Sequence, residues 1–284
     1  MQEIKTRAQN LIYNIVVRSS HNKYSKNSYH LDYERSEYRQ DDLIKLVRDT
    51  VIFFALTNDE LSRITAETLA KLQKRAWGRI SNRPSAMKGD YGELLLFLIL
   101  ESFYPARKLI TKVRLRSSLG DEIKGYDCAH FSIDSGEVCL WLGEAKFHQS
   151  FSTAIGQVLI SVNDHISDKK LKDELSILES NNTELNEFER VLVEDYFNSG
   201  ISLDKMKFKI PILITYDSTT VQSHKEVCTD FEDQLHAELD DKYSIIDGKS
   251  FTIKPNIELH FILLPLKTVK YIKDELEKIE IANK

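Results

Sequence analysis

The segment from Val138 to Phe147 constrains the fold of this chain more than any other part of the sequence. Its first five residues are all apolar, which is typical of a strand buried on both faces. The segment then reads Gly-Glu-Ala-Lys-Phe, and the strand period of two places the side chains of Glu144 and Lys146 on one face. The sequence therefore predicts an interior strand that carries two opposite charges at one end.

The regions before this strand have the hydrophobic spacing of helices. Apolar residues recur at helical spacing over residues 41–80, where Thr57 and Glu60 occupy the positions of a capping box, so we expect two helices there. A third helix is expected over about 88–104, because a leucine-rich stretch precedes Pro105.

After this third helix the period changes to two. The segment 134–136, Asp-Ser-Gly, has the composition of a tight hairpin turn and makes two of the predicted strands antiparallel neighbours. Further along, helical and strand patterns alternate, which predicts an α/β core of order αβββαβαβ with a mixed sheet. The predicted strands cover 109–116, 126–133, 138–147, 208–216 and 257–264, and the helices between them cover 153–166 and 219–239.

Charge and composition divide the chain further. Residues 168–204 form a helical, acidic stretch with ten Asp+Glu against four Lys+Arg, which we interpret as an insertion. This insertion could be a protein-docking surface, a guard over a cleft or a solvated helical face. We expect a helical N-terminal lobe over 1–87 and an α/β domain over 88–284.

The composition excludes several classes of protein. The longest apolar run has seven residues, too short for a membrane-spanning helix, and three scattered cysteines argue against a disulfide framework, so we expect a cytoplasmic protein. No G-x-x-x-x-G-K-S/T loop is present, so the chain is expected to bind no nucleotide. The net charge is −5, yet residues 1–88 carry 16 Lys+Arg against 10 Asp+Glu, which leaves a basic region for a nucleic-acid partner.

Acidic residues on two neighbouring elements accompany the Glu-x-Lys pair. Asp127 lies on the strand that precedes it, and Glu93 lies in the helix that leads into the sheet. Carboxylates that converge on one point suit Mg²⁺ or Mn²⁺, and a lysine beside them can hold an attacking water. The set predicts phosphodiester hydrolysis, whereas an isolated Glu144–Lys146 pair would be only a solvated ion pair.

The order and spacing of these residues resemble a known group of nucleases. Glu93, then Gly125-Tyr126-Asp127, then Gly143-Glu144-Ala145-Lys146 on an αβββαβ core resemble the PD-(D/E)XK nuclease superfamily. The segments 89–95, 124–127 and 141–147 also resemble the HamA family of Hachiman anti-phage systems. The resemblance implies a restriction-endonuclease-like fold and a metal-dependent DNase that works with a helicase subunit, HamB, which restrains it until DNA damage or phage replication is sensed.

The resemblance also implies roles for individual residues. Asp127 and Glu144 become metal ligands together with the backbone carbonyl of Ala145, while Lys146 positions the water and Glu93 is an accessory acid. Tyr126 stands where the name-giving proline of the superfamily would be. The next helix offers Gln157 as a possible DNA-binding residue, because some relatives use a glutamine and a tyrosine near the DNA, but Ser161 stands where the tyrosine would be. A catalytically inactive scaffold that binds DNA or the helicase is the alternative function.

Three further features have two interpretations each. Lys112, Arg114 and Arg116 would share one face of the first predicted strand, where they contact phosphates or form a solvated face. The stretch 18–40 interleaves basic residues with tyrosines, which suits either nucleic-acid binding or a partner-contacting arm. His148 is either a surface residue or a proton shuttle.

Overall fold

A computed structural model describes residues 1–15, 24–80, 89–114, 125–180, 185, 187–198 and 202–284 of the chain. Its strands are β1 (Ile12–Ile15), β2 (Ser25–Leu31), β3 (Tyr33–Glu34), β4 (Glu37–Tyr38), β5 (Arg107–Thr111), β6 (Cys128–Asp134), β7 (Glu137–Phe147), β8 (Lys207–Asp217) and β9 (Ile257–Leu266). Its helices are α1 (Gln2–Gln9), α2 (Gln40–Ala55), α3 (Asn58–Ser62), α4 (Leu69–Gly78), α5 (Asp90–Phe103), α6 (Phe151–His165), α7 (Asp168–Ser180), α8 (Glu187–Asn198), α9 (Thr219–Ser223), α10 (Thr229–Asp247) and α11 (Val269–Asn283).

A seven-stranded mixed sheet forms the centre of this α/β fold, in the order β1-β2-β9-β8-β7-β6-β5. Strands β5, β6 and β7 are antiparallel, whereas β7, β8, β9 and β2 run parallel. Strands β7, β8 and β9 are nearly continuous apolar runs, as expected of parallel strands covered on both faces. The predicted order of core elements is therefore confirmed.

The turn between β6 and β7 forms where the sequence predicts it. Ser135 and Gly136 have φ angles of 53° and 86°, the left-handed conformations that a two-residue hairpin turn requires. Asp134 pairs with Glu137 across the turn, and the register continues to Cys128 opposite Gly143. This register places the residue before β6, Asp127, beside the end of β7 that carries Glu144.

Helix α5 packs close to β7 because Gly92 of α5 faces β7 and Gly143 of β7 faces α5. An ideal Cβ on Gly143 would lie 2.6 Å from Cys128 Sγ and 2.8 Å from Leu96 Cδ2. One on Gly92 would lie 3.0 Å from Phe147 Cβ. The helix is buried along nearly its whole length, including the first turn that carries Glu93.

The N-terminal region differs from the expected helical lobe. Strands β1 and β2 belong to residues 1–87, and β2 pairs in parallel with β9, so part of this region extends the central sheet. Strand β2 has the polar sequence SKNSYHL, which carries no alternation. It occupies part of the stretch 18–40, for which the sequence suggests nucleic-acid binding, a flexible arm or a partner-contacting segment. A domain boundary near residue 87 stays a prediction.

Three other elements differ in extent. Strand β5 ends at Thr111 and a 3₁₀ turn follows, whereas the sequence predicts a strand to residue 116. The helix expected over 219–239 is two helices, α9 and α10, and the second helix within 41–80 is likewise divided into α3 and α4. The capping box of Thr57 and Glu60 at the start of α3 is confirmed.

The sequence analysis did not predict the C-terminal helix α11.

The acidic insertion is helical, as expected. Helices α7 and α8 form it, and they attach to the core through the buried side chains of Leu171, Leu178 and Val193.

In the ranges that the structure describes, no helix combines the length and the apolar character that crossing a bilayer needs.

The close approach of α5 to β7 makes a prediction. Gly143→Ala should lower the free energy of unfolding by about 1–3 kcal/mol, because the added methyl group overlaps Cys128 and Leu96. Gly156→Ala in α6 is the control: an ideal Cβ there meets no atom of the described residues within 4 Å, and alanine should stabilise the helix by about 0.5–1 kcal/mol. Urea unfolding measures both, and equal stability of the two variants would contradict the packing argument.

Candidate functional site

Asp127 is fixed by backbone hydrogen bonds to β7. Its N–H donates to the carbonyl oxygen of Gly143 at 2.9 Å, and its Oδ2 accepts from the N–H of Ala145 at 2.8 Å. The residue is 9% exposed. The carboxylate therefore lies against the β7 backbone between the Gly143 and Lys146 positions, where sequence reasoning expects it.

Glu144 is the most deeply placed carboxylate of the group, with 3% exposure. Its Oε1 accepts a hydrogen bond from Lys146 Nζ, and its Oε2 lies 3.5 Å from His165 Nδ1. Burial, and next the negative charge of Asp127, raise the pKa of Glu144, while Lys146 and a hydrogen bond from Ser161 oppose the rise. The site thus holds a carboxylate whose charged form depends on its neighbours.

Lys112 shows that three carboxylates share one electrostatic environment. Its Nζ lies 3.2 Å from Asp127 Oδ1 and 3.4 Å from the carbonyl oxygen of Gly125. Burial alone would lower the pKa of Lys112, but the charges of Asp127, Glu93 and Glu144 more than offset burial and raise it. The first turn of α5, which carries Glu93, packs on the same part of β7, where an ideal Cβ on Gly92 would lie 3.4 Å from Ala145 Cβ.

Glu93 comes to the same place from the first turn of α5, and 4% of it is exposed. After burial, the charges of Asp127, Glu93 and Glu144 all raise the pKa of the Cys128 thiol, which lies under the hairpin. The structure therefore brings together the four residues singled out from the sequence: Glu93, Asp127, Glu144 and Lys146. Their chemical roles stay predictions.

Helix α6 contributes two residues that sequence reasoning did not assign to the site. The Ser161 hydroxyl lowers the pKa of Glu144, although its Oγ donates to the carbonyl oxygen of Gln157 at 3.0 Å, and His165 Nδ1 lies 3.5 Å from the same carboxylate. Gln157, the residue singled out from the sequence, is exposed and hydrogen-bonds His148 instead. The spacing of 157, 161 and 165 puts all three on one helix face, and this i, i+4 pattern was the available signal.

The acidic insertion reaches the site through one residue of α7. The carboxylate of Glu174 accepts a hydrogen bond from the backbone N–H of Tyr126, and an ideal Cβ on Gly125 would overlap it. Gly125 has a φ angle of 134°, so glycine is favoured there for conformation as well as space. The ring of Tyr126 packs on His165, with centroids 4.7 Å apart.

The basic stripe expected on the first strand does not form as predicted. Lys112 and Arg114 lie in a 3₁₀ turn, where residues two apart do not share a face, and Lys112 is turned toward Asp127. The side chain of Arg114 and the whole of Arg116 lie outside the described residues. Phosphate contacts by these residues stay a prediction.

The donor chemistry of the cluster suits a hard cation. Asp127 and Glu144 offer carboxylate oxygens, the ligands that Mg²⁺ and Mn²⁺ prefer, and the Ala145 carbonyl belongs to the same strand. Lys112 and Lys146 pair with these two carboxylates, and no three His, Cys, Asp or Glu side chains of the described ranges converge closely enough to hold a metal ion. Cationic groups therefore already balance the buried negative charge.

Fold and site together define an α/β protein with a mixed sheet whose β6–β7 hairpin and α5 gather buried carboxylates around two lysines. A comparison with protein-family models gives one finding: the HamA model matches residues 8–279. The match spans nearly the whole chain, and the chain belongs to the HamA family. A comparison with curated proteins finds no match.

Glu174 provides a pH-dependent prediction. Burial raises the pKa of Glu174 to about 7, although the Tyr126 N–H and Lys112 oppose the rise. The folded chain thus binds a proton that the unfolded chain releases near pH 4.5, so this residue makes stability fall as pH rises from about 4.5 to 7. Glu174→Gln should therefore be more stable than the wild type at pH 8, with the advantage shrinking toward pH 5.

Urea unfolding at the two pH values measures this difference. Asp195→Asn is the matched control, since it removes the same charge from an exposed position on α8, the other helix of the insertion, and should show no comparable gain in stability at pH 8. A Glu174→Gln advantage that is equal at pH 5 and pH 8 would contradict the assigned environment of the carboxyl group.

Proposed function

We propose that this chain is a metal-dependent DNA nuclease of the PD-(D/E)XK type and the effector subunit of a Hachiman anti-phage system, acting with a helicase subunit of the HamB kind. The observation that carries the proposal is the buried cluster of Glu93, Asp127, Glu144 and Lys146. Membership of the HamA family supports the defence role. The order α5-β5-β6-β7-α6-β8 agrees with a restriction-endonuclease-like core.

In this proposal Asp127 and Glu144 hold Mg²⁺ or Mn²⁺, and the carbonyl oxygen of Ala145 is a further ligand. The bound cation would supply charge stabilisation at the phosphoryl oxygens and the leaving group. The hydrogen bond from the Ala145 N–H fixes the orientation of Asp127, and the hydrogen bond from Lys146 Nζ fixes that of Glu144. Both ligands are thus oriented before substrate arrives.

The lysines act on the substrate side of the reaction. An ammonium group donates hydrogen bonds, so Lys146 would orient the attacking water against the phosphorus atom. Lys112 balances the charge of Asp127 and would contact a phosphate oxygen of the bound DNA. Glu93 is an accessory acid that adds negative charge to the cluster.

A second candidate function is a scaffold of the same fold that binds DNA or the helicase without cutting. The pairing of Asp127 with Lys112 and of Glu144 with Lys146 favours it, because both carboxylates have cationic partners in the absence of metal. A scaffold would bind DNA equally well with and without Mg²⁺ and would leave it intact. The nuclease requires cleavage that depends on Mg²⁺.

Nicking of supercoiled plasmid by the chain together with its helicase subunit tests the proposal. Glu144→Ala and Lys146→Ala should each lower the rate at least about a hundredfold, since each removes a group that acts on the transition state. Glu137→Ala and Lys207→Ala are matched controls, because these residues form an exposed ion pair between the start of β7 and the start of β8, away from the cluster. Full activity of both cluster variants would overturn the assignment.

A further inference from the structure

A second polar site lies beside the carboxylate cluster, where β7 ends and α6 begins. A cavity of about 540 Å³, partly open to solvent, lies between the start of α6 and the start of α11. We call it the α6–α11 pocket, and the residues that matter for its chemistry are His148, Ser150, Thr153, Lys270, Lys273 and Asp274. It opens at the carboxyl ends of parallel strands, the usual location of ligands in sheets of this kind.

Lys273 is the unusual group in this pocket. Burial lowers its pKa, and no acidic side chain contributes to raising it. Its ammonium group lies 5.3 Å from the ring centroid of Phe147, and within the described ranges no carboxylate forms an ion pair with it. The neighbouring Lys270 differs, because it pairs with Asp274 at 2.5 Å. A half-buried cation without a counter-charge is costly unless an anion completes its environment.

Helix geometry adds positive potential to the same space. Helices α6 and α11 both begin at the pocket, and the positive ends of their dipoles point toward it. Ser150 Oγ caps α6 by accepting from the N–H of Thr153 at 3.3 Å. The N–H of Val269 at the start of α11 donates to Asp217, so an acid already satisfies part of that helix end. Each helix start therefore has one backbone N–H bonded by a side-chain oxygen.

The pocket is continuous with the proposed active site along the chain. His148 follows Phe147 and is two residues from Lys146. His148 lines the pocket together with Lys273, and after burial the charges of Lys273 and Lys146 both lower the pKa of its imidazole. Gln157 of α6 hydrogen-bonds His148.

We propose that the α6–α11 pocket binds a phosphate group of the DNA backbone, with Lys273 as its principal cation. This inference rests on the proposed function, because it assigns a neighbouring phosphate of the same substrate. The ligand class follows from the site: a compact anion satisfies one buried ammonium group, a histidine and a helix N-terminus together. The pocket would then hold the strand in register with the carboxylate cluster.

Fluorescence anisotropy with a labelled 20-base-pair duplex tests phosphate binding by the pocket. The full chain is used, and EDTA is present so that no cleavage occurs. Lys273→Met should weaken duplex binding about fivefold at every sequence and lower the salt slope of log K by about one. Lys278→Met is the control: it removes an exposed lysine of the same helix and should leave affinity unchanged. Lys273→Arg retains the charge and should restore binding, and thermal melts confirm that each variant folds.

Two results would overturn the proposal. Lys273→Met could bind the duplex as tightly as the wild type, or Lys278→Met could weaken binding equally, which would indicate a diffuse charge effect. A further arm uses inorganic phosphate as the probe: thermal stabilisation by phosphate that depends on Lys273, with DNA affinity unchanged, would assign the pocket to a free anion and contradict the DNA assignment.

These outcomes are separable from the proposed function. If plasmid nicking is absent but Lys273→Met weakens DNA binding, the pocket stands and the nuclease assignment fails. If nicking depends on Glu144 and Lys146 while Lys273→Met binds DNA normally, the nuclease stands and the pocket fails.

Discussion

The structure of this chain depends on the burial of three carboxylates around the end of β7. Glu93, Asp127 and Glu144 are each at most 9% exposed, and buried like charges oppose folding unless cations compensate. Lys112 and Lys146 supply that compensation from two different segments. Because removing one member of such a group leaves the others uncompensated, the cluster is a strong constraint on the surrounding fold.

Each contributing element has a feature that serves this cluster. The left-handed turn at Ser135 and Gly136 sets the β6–β7 register, and the small residues Gly92 and Gly143 let α5 approach β7. Helix α6 then follows β7 directly and turns one face toward Glu144. A site assembled from four elements in this way suits a chemistry that needs fixed ligands, and it agrees with membership of the HamA family.

Sequence reasoning predicted the parts of this arrangement that local pattern encodes. The apolar run of β7, the Asp-Ser-Gly turn and the order of core elements follow from periodicity and turn chemistry. Because the hairpin register follows from the turn, the approach of Asp127 to Glu144 could also be predicted from the sequence.

What sequence reasoning missed depends on contacts between distant segments. Strand β2 has no alternating pattern, and its position beside β9 is determined by tertiary packing. The strand predicted to residue 116 ends at Thr111, where the chain turns Lys112 toward Asp127, and the charge balance that results is not visible in local sequence. His165 and Glu174 join the site from elements whose orientation depends on the whole fold.

The most direct test of the account is binding of Mn²⁺ to the purified chain, followed by electron paramagnetic resonance. We expect saturable binding that Asp127→Asn and Glu144→Gln each weaken at least about tenfold, because each removes a charged oxygen ligand. Asp134→Asn, which alters an acid that pairs with Lys209 at the far end of the hairpin, should leave Mn²⁺ affinity unchanged. Mn²⁺ binding that is absent, or that is insensitive to Asp127 and Glu144, would contradict the claim that this cluster is a metal centre.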